Sequence, residues 1–75
     1  MSNTDKANEF KTLGNEAFKN KQYEEAIKYF TQAIECNPND HVFFSNRSGS
    51  YLNSGNYQKA LEDAETCVKY YFVNL

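Results

Sequence analysis

Displaced by 34 positions, the sequence falls into register with itself, and this internal repeat constrains the fold more than any other feature. Phe10 meets Phe44, Tyr23 meets Tyr57, Ala26 meets Ala60 and Ile27 meets Leu61. Ala33 meets Cys67, and Ile34 meets Val68. A repeated unit of this size buries its apolar face by stacking on its neighbour. The unit appears twice, over about 7–40 and about 41–72, and residues 1–75 read as a single domain.

Each unit reads as a helical hairpin. The first helix runs from about Thr4, a candidate N-cap, to about Asn20. Its apolar positions Ala7, Phe10, Leu13, Ala17 and Phe18 recur near the helical period. Lys21-Gln22 is a short turn. The second helix starts near Tyr23 and carries Ala26, Ile27, Phe30, Ala33 and Ile34. Glu24 and Glu25 suit its positive end, and Asn37-Pro38 stops it. Asn39 or Asp40 caps the third helix, whose apolar positions are Val42, Phe43, Phe44, Tyr51 and Leu52. Ser54-Gly55-Asn56 ends it, with Gly55 suited to a left-handed cap. The fourth runs from Tyr57 through Ala60, Leu61, Ala64, Cys67 and Val68. The fold class is therefore all-α, with four helices in two helix–turn–helix repeats of the α-solenoid type.

Composition excludes several functions. A net charge of −2 and a pI near 5.2 leave no basic stripe for nucleic acid. No apolar run reaches membrane length. The N-terminal Met1-Ser2-Asn3-Thr4-Asp5 is too polar for a secretion signal. These features lead us to expect a soluble protein of the cytosol or nucleus, with cytoplasmic localisation. Cys36 and Cys67 sit inside apolar helical patterns and read as reduced, largely buried small hydrophobes. His41 is the one histidine, with no ligand-spaced partner, so neither a metal site nor a cofactor is expected. Glu24, Glu25, Glu62, Asp63 and Glu65 read as solvated helix starts and faces. Phe10, Tyr23, Phe30, Phe44, Tyr51 and Tyr57 read as core. Asn46-Arg47-Ser48 matches a glycosylation sequon only by chance in a mid-helix position. With no nucleophile–base constellation and no phosphate loop, the chain does not read as an enzyme.

One stretch of the first helix carries more than packing. Leu13, Gly14 and Ala17 mix small and large residues in a way that allows close helix approach. Lys11 and Asn15 lie four residues apart and so share a helix face. A cation and an amide there are unnecessary for folding and make a plausible site for an anionic ligand.

These residues carry a resemblance. Phe10, Leu13, Gly14, Ala26, Phe30, Ala33 and Pro38 in the first unit resemble the tetratricopeptide repeat signature, as do Phe44, Ser48, Tyr51, Ala60 and Cys67 in the second. More narrowly, Lys11-Thr12-Leu13-Gly14-Asn15 and His41-Val42-Phe43-Phe44-Ser45-Asn46-Arg47-Ser48 resemble the first repeat domain of the heat-shock-chaperone organising co-chaperones. The resemblance implies a concave groove that holds the chaperones' C-terminal peptide, ending in Glu-Glu-Val-Asp, by a carboxylate clamp. It implies that Lys11 pairs with a peptide carboxylate and that Asn15 and Asn46 donate to the terminal Asp. Phe18, Gly49 and Leu52 would line the wall for the Val side chain, with Asn53 at the rim. Charge-assisted hydrogen bonds suit a chain end with two carboxylates, and the Val pocket would add roughly 1–2 kcal/mol.

The sequence departs from that family in three places. The family completes its clamp with two basic residues on a third repeat, and Leu75 precedes any such helix, so weak peptide binding by a monomer is expected. Phe72 stands where the first unit has Pro38, and Ala64 stands where it has Phe30. The helix-four face is left without a successor. The tail Tyr70 to Leu75 could extend that helix and fold its aromatics over the gap. Alternatively, two chains could associate through helix four and the tail. The sequence thus supports a chaperone-peptide adaptor first. A self-associating structural module, or a fragment of a longer co-chaperone with no peptide binding, is the alternative.

Overall fold

Ser2 opens the first helix by accepting a hydrogen bond from the Asp5 amide through its hydroxyl, 3.1 Å away. The cap was expected at Thr4; Ser2 takes it because its backbone is extended while Thr4 is already helical. In the computed structural model, which describes residues 2–73, four helices follow one another. They are α1 (Asn3–Lys19), α2 (Tyr23–Cys36), α3 (His41–Asn53) and α4 (Tyr57–Val73).

Local chemistry sets most of the boundaries. Lys21 adopts a left-handed φ of 61° in the α1–α2 turn, and the Lys21 and Gln22 amides donate back to Phe18 and Ala17 carbonyls. Asp40 caps α3 by accepting from the Val42 amide at 3.0 Å. Gly55, at φ 88°, makes the left-handed turn after α3. The α4 boundary is different. By the repeat register it should stop at Tyr70, the counterpart of Cys36. It continues to Val73 because Phe72 replaces the helix-stopping Pro38.

Helices α1 and α2 pack as one hairpin and α3 and α4 as the next, with α2 against α3. The four helices form a slab 30 × 27 × 15 Å. Its thinnest dimension is little more than one helix with its side chains, so every helix keeps an exposed face.

Both clusters of the apolar core lie in the first three helices. One cluster joins Ala7, Ala33 and Phe43, with Phe10, Ile34 and Cys36 against it. A second joins Ala17, Ala26 and Phe30, with Phe18 and Tyr29 alongside. Gly14 permits the second. A Cβ there would lie 2.5 Å from Phe30 Cε1, so only hydrogen lets the ring lie across α1. In the second hairpin the counterparts are Ser48 and Ala64. The missing ring is replaced by polar contact, with the Ser48 hydroxyl donating to the Ala60 carbonyl at 2.6 Å.

Helix α4 buries only Ala60 and Asp63 among its described residues. Asp63, expected on a solvated face, is 5% exposed. It is drawn in by Arg47 of α3, which donates from Nε to Oδ2 at 2.7 Å and from Nη2 to Oδ1 at 2.8 Å. Arg47 Nη1 also donates to Thr31 Oγ1 on α2 at 3.1 Å. The guanidinium lies over the Phe44 and Tyr51 rings, 5.7 and 5.8 Å from their centroids. Hydrogen bonding to Asp63 raises the Arg47 pKa above its ordinary value, against the opposing effect of partial burial.

The tail aromatics divide. Tyr70 stacks on Phe44 and Tyr71 meets the His41 ring edge-on, so both return to α3. Phe72 and Val73 remain exposed, while Asn74 and Leu75 lie outside the described residues. Two other apolar expectations are corrected. Leu13 is 37% exposed and Tyr57 68% exposed. Their positions follow the helical period, but no helix packs over them in this slab. Cys36 and Cys67 are free thiols, half-buried rather than largely buried.

Candidate functional site

Asn15 on α1 and Asn46 on α3 face each other across the groove between the first helices of the two hairpins. Asn46 Nδ2 donates to Asn15 Oδ1 at 3.5 Å, a long contact. Each residue owes its place to a packing neighbour. Gly14 holds α1 against Phe30, which sets the height of Asn15. Ser50 of α3 is fully buried, and Asn46 lies one turn before it, with its carbonyl accepting from the Ser50 hydroxyl at 3.1 Å.

The two amides stand at a cavity of about 190 Å³ lined by Asn15, Phe18, Phe30, Ser45, Asn46 and Gly49. Phe30 and Phe18 supply the apolar surface, and the amides and the Ser45 hydroxyl supply hydrogen-bonding groups. Phe18 is held by an edge-to-face contact with Tyr23, with centroids 5.3 Å apart. Gly49 leaves the cavity room, since a Cβ there would sit 3.9 Å from Phe18 Cε2, an ordinary contact distance.

Of the seven residues expected at the site, four line this cavity: Asn15, Phe18, Asn46 and Gly49. Lys11 lies one turn before Asn15 on α1, half-buried and outside the lining. Leu52 is 55% exposed and Asn53 is exposed, and neither lines the cavity. Asn53 instead donates to the Gly49 carbonyl of its own helix at 2.8 Å. Phe30 and Ser45 were not expected there. Its helical spacing marks Phe30 purely as core, yet its ring both fills the hairpin and lines the cavity. Ser45 occupies the α3 position that Lys11 holds on α1, and the repeat register is the signal that could have found it.

The arrangement offers amide and hydroxyl groups above an aromatic floor, with an ammonium one turn away. It suits a small anionic group attached to an apolar one. Among the described residues, no group of three His, Cys, Asp or Glu side chains could hold a metal ion. No helix among them is long and apolar enough to cross a membrane.

Comparison with known proteins agrees with this architecture. Tetratricopeptide repeat models match residues 7–40 and 29–62. The Hsp70-Hsp90 organising protein of Plasmodium falciparum is 46% identical over 68 residues, covering 91% of this chain and 27% of that protein. Human serine/threonine-protein phosphatase 5 is 45% identical over 64 residues, covering 85% of this chain and 13% of the phosphatase. The chain therefore spans about a quarter or less of these relatives. Among solved structures, the Arabidopsis OM64 TPR domain superposes with a TM-score of 0.91 at 28% identity, covering 92% of this chain and 57% of that one. Four helices paired as two hairpins, in the register that the sequence repeat requires, make this chain a member of the tetratricopeptide repeat family, related to the repeat domains of Hsp70/Hsp90 co-chaperones.

Proposed function

We propose that the chain is a protein-interaction module that binds the acidic C-terminal peptide of heat-shock chaperones, ending in Glu-Glu-Val-Asp. One observation carries this reading most directly: Asn15 and Asn46 converge above the Phe18–Phe30 cavity floor. Their mutual contact uses one of the four amide hydrogens that the pair carries. At 3.5 Å it is readily exchanged for charge-assisted bonds to a carboxylate. A peptide ending in Asp offers two carboxylates to the amides. Lys11, one turn earlier, would meet a further peptide carboxylate. The penultimate Val would enter beside Phe18 and Gly49, with Leu52 and Asn53 at the outer edge. The relationship to the organising co-chaperones supports the choice of ligand. The same reading implies a cytoplasmic adaptor that brings a chaperone to a partner and catalyses nothing itself.

The chain carries a net charge of −2, so long-range electrostatics oppose an acidic peptide and affinity must come from contacts within the groove. The test is a fluorescence-anisotropy titration with a labelled peptide ending in Glu-Glu-Val-Asp beside its C-terminally amidated twin. Binding of the free acid alone, weakened by Lys11→Ala, is the expected result. Equal binding of both peptides, or of neither, removes the clamp reading.

A further inference from the structure

The outer face of α4 carries Tyr57, Leu61, Val68 and Phe72, all exposed, in one stripe along the helix. Ala64 and Glu65 lie at its centre. The pairs Tyr57/Phe72, Leu61/Val68 and Ala64/Glu65 share one midpoint. The stripe therefore reads alike from either end: aromatic, aliphatic, centre, aliphatic, aromatic. We propose that this face is an isologous interface, on which α4 of a second copy packs antiparallel about a two-fold axis between Ala64 and Glu65.

The symmetry follows from the chemistry of the stripe. A two-fold axis sets each residue opposite its mate in the palindrome, so aromatic meets aromatic and Leu61 meets Val68 of the other copy. Ala64, next to the axis, is small enough to let the two backbones approach closely, and the two Glu65 carboxylates that the axis brings together lie at the solvent edge, each with Lys69 of its own helix one turn away to offset the repulsion. Glu62 and Lys69 flank the stripe about one residue off the same midpoint, so the axis brings Glu62 of one copy near Lys69 of the other. The extension of α4 to Val73 is essential, because it supplies Phe72. In α2, the counterpart of Phe72 is Pro38, beyond the end of the helix, and the corresponding stripe has no second aromatic end. The alternative use of the face, a head-to-tail stack with α1 of a second copy taking the place α3 takes on α2, fails on charge. The repeat register puts Glu9 where Phe43 packs against Ala33, so a carboxylate would be pressed against Cys67 and Val68. Covering the four exposed side chains on both copies removes on the order of 1,000 Å² from solvent, the lower bound of a specific interface. The Asn15–Asn46 cavity is lined from α1, α2 and α3 and no residue of α4 takes part, so this inference is independent of the peptide-binding one.

Sedimentation velocity over a concentration series of the 75-residue chain tests it. A reversible monomer–dimer equilibrium is expected, and Leu61→Glu should raise the dimer dissociation constant at least about tenfold. Leu61 is 62% exposed, so this change leaves the fold intact and helical content by circular dichroism unchanged. Register is read by disulfide trapping in a Cys36→Ser, Cys67→Ser background. Ala64→Cys should cross-link to itself, and Tyr57→Cys should cross-link to Phe72→Cys but not to another Tyr57→Cys chain. A chain that stays monomeric throughout, as it would if a helix of a different protein covers the face, overturns the proposal. So does a dimer indifferent to Leu61→Glu, or self-cross-linking of Tyr57→Cys.

Discussion

Asp63 and Arg47 hold each other at two points, with Nε–Oδ2 at 2.7 Å and Nη2–Oδ1 at 2.8 Å, across the α3–α4 hairpin. The pair is bidentate, shielded, and continued to α2 through Thr31. With the Ser48–Ala60 contact, it joins α3 to α4 in the hairpin that lacks a counterpart of Phe30. Removing one partner leaves the other charge without its mate in a partly buried setting. Asp63→Ala should therefore cost about 2–3 kcal/mol. In a domain of this size each 1 kcal/mol lowers Tm by about 4–8 °C, and thermal unfolding followed by circular dichroism checks the value. The raised Arg47 pKa places any loss of this guanidinium's contribution above the ordinary arginine range, so alkaline pH short of that range should not weaken it.

Gly14→Ala sets two effects against each other. Alanine improves helix propensity by about 1 kcal/mol, but its Cβ would lie 2.5 Å from the Phe30 ring. Phe30 is almost wholly buried and has nowhere to retreat. Overpacking of this kind costs about 1–3 kcal/mol, so the net change should be destabilising. Urea denaturation measures it, and pairing the change with Phe30→Leu should recover part of the loss.

Gly49→Ala should behave in the opposite sense. Its Cβ would meet only Phe18 Cε2, at 3.9 Å, so the helix should gain up to about 1 kcal/mol. The same methyl would enter the cavity proposed for the peptide's Val side chain. Higher Tm together with weaker peptide binding is the expected combination, read from thermal melts and anisotropy on one protein preparation.

Asn15→Ala and Asn46→Ala should each weaken binding of the free-acid peptide by about 1 kcal/mol, roughly fivefold. The double variant should lose less than the sum, because both amides address one carboxyl-terminal residue. Stability should move by less than about 0.5 kcal/mol, since their mutual contact is long and exposed.

Ser48→Ala removes the 2.6 Å bond to the Ala60 carbonyl, which joins α3 to α4. A loss of about 1 kcal/mol in chemical denaturation is expected. The corresponding change on the exposed Ser54 hydroxyl, which bonds only within its own turn, should have little effect.

Much of this architecture is legible in the sequence. The repeat register determined four helices in two hairpins, and Gln22, Pro38, Asp40 and Gly55 marked their ends through backbone chemistry local to each residue. Gly14 against Phe30 was foreshadowed by the small residue at a close-approach position. Helical spacing with Lys11 singles out Asn15, resemblance to a family adds Phe18, Asn46 and Gly49, and the tertiary structure brings the four around one cavity. Lys11, Leu52 and Asn53 lie outside it, because neither helical spacing nor a family resemblance gives a side chain's distance from a hollow. The tertiary structure alone decided the burial of Asp63. Asp63 stands among the acidic residues Glu62 and Glu65, which stay exposed, and its partner Arg47 comes from another helix. The tertiary structure also decided that Leu13 and Tyr57 stay exposed. Periodicity records which side of a helix is apolar, but burial depends on whether another element lies against that side. Here α4 has α3 on one flank and, among the described residues, nothing on the other.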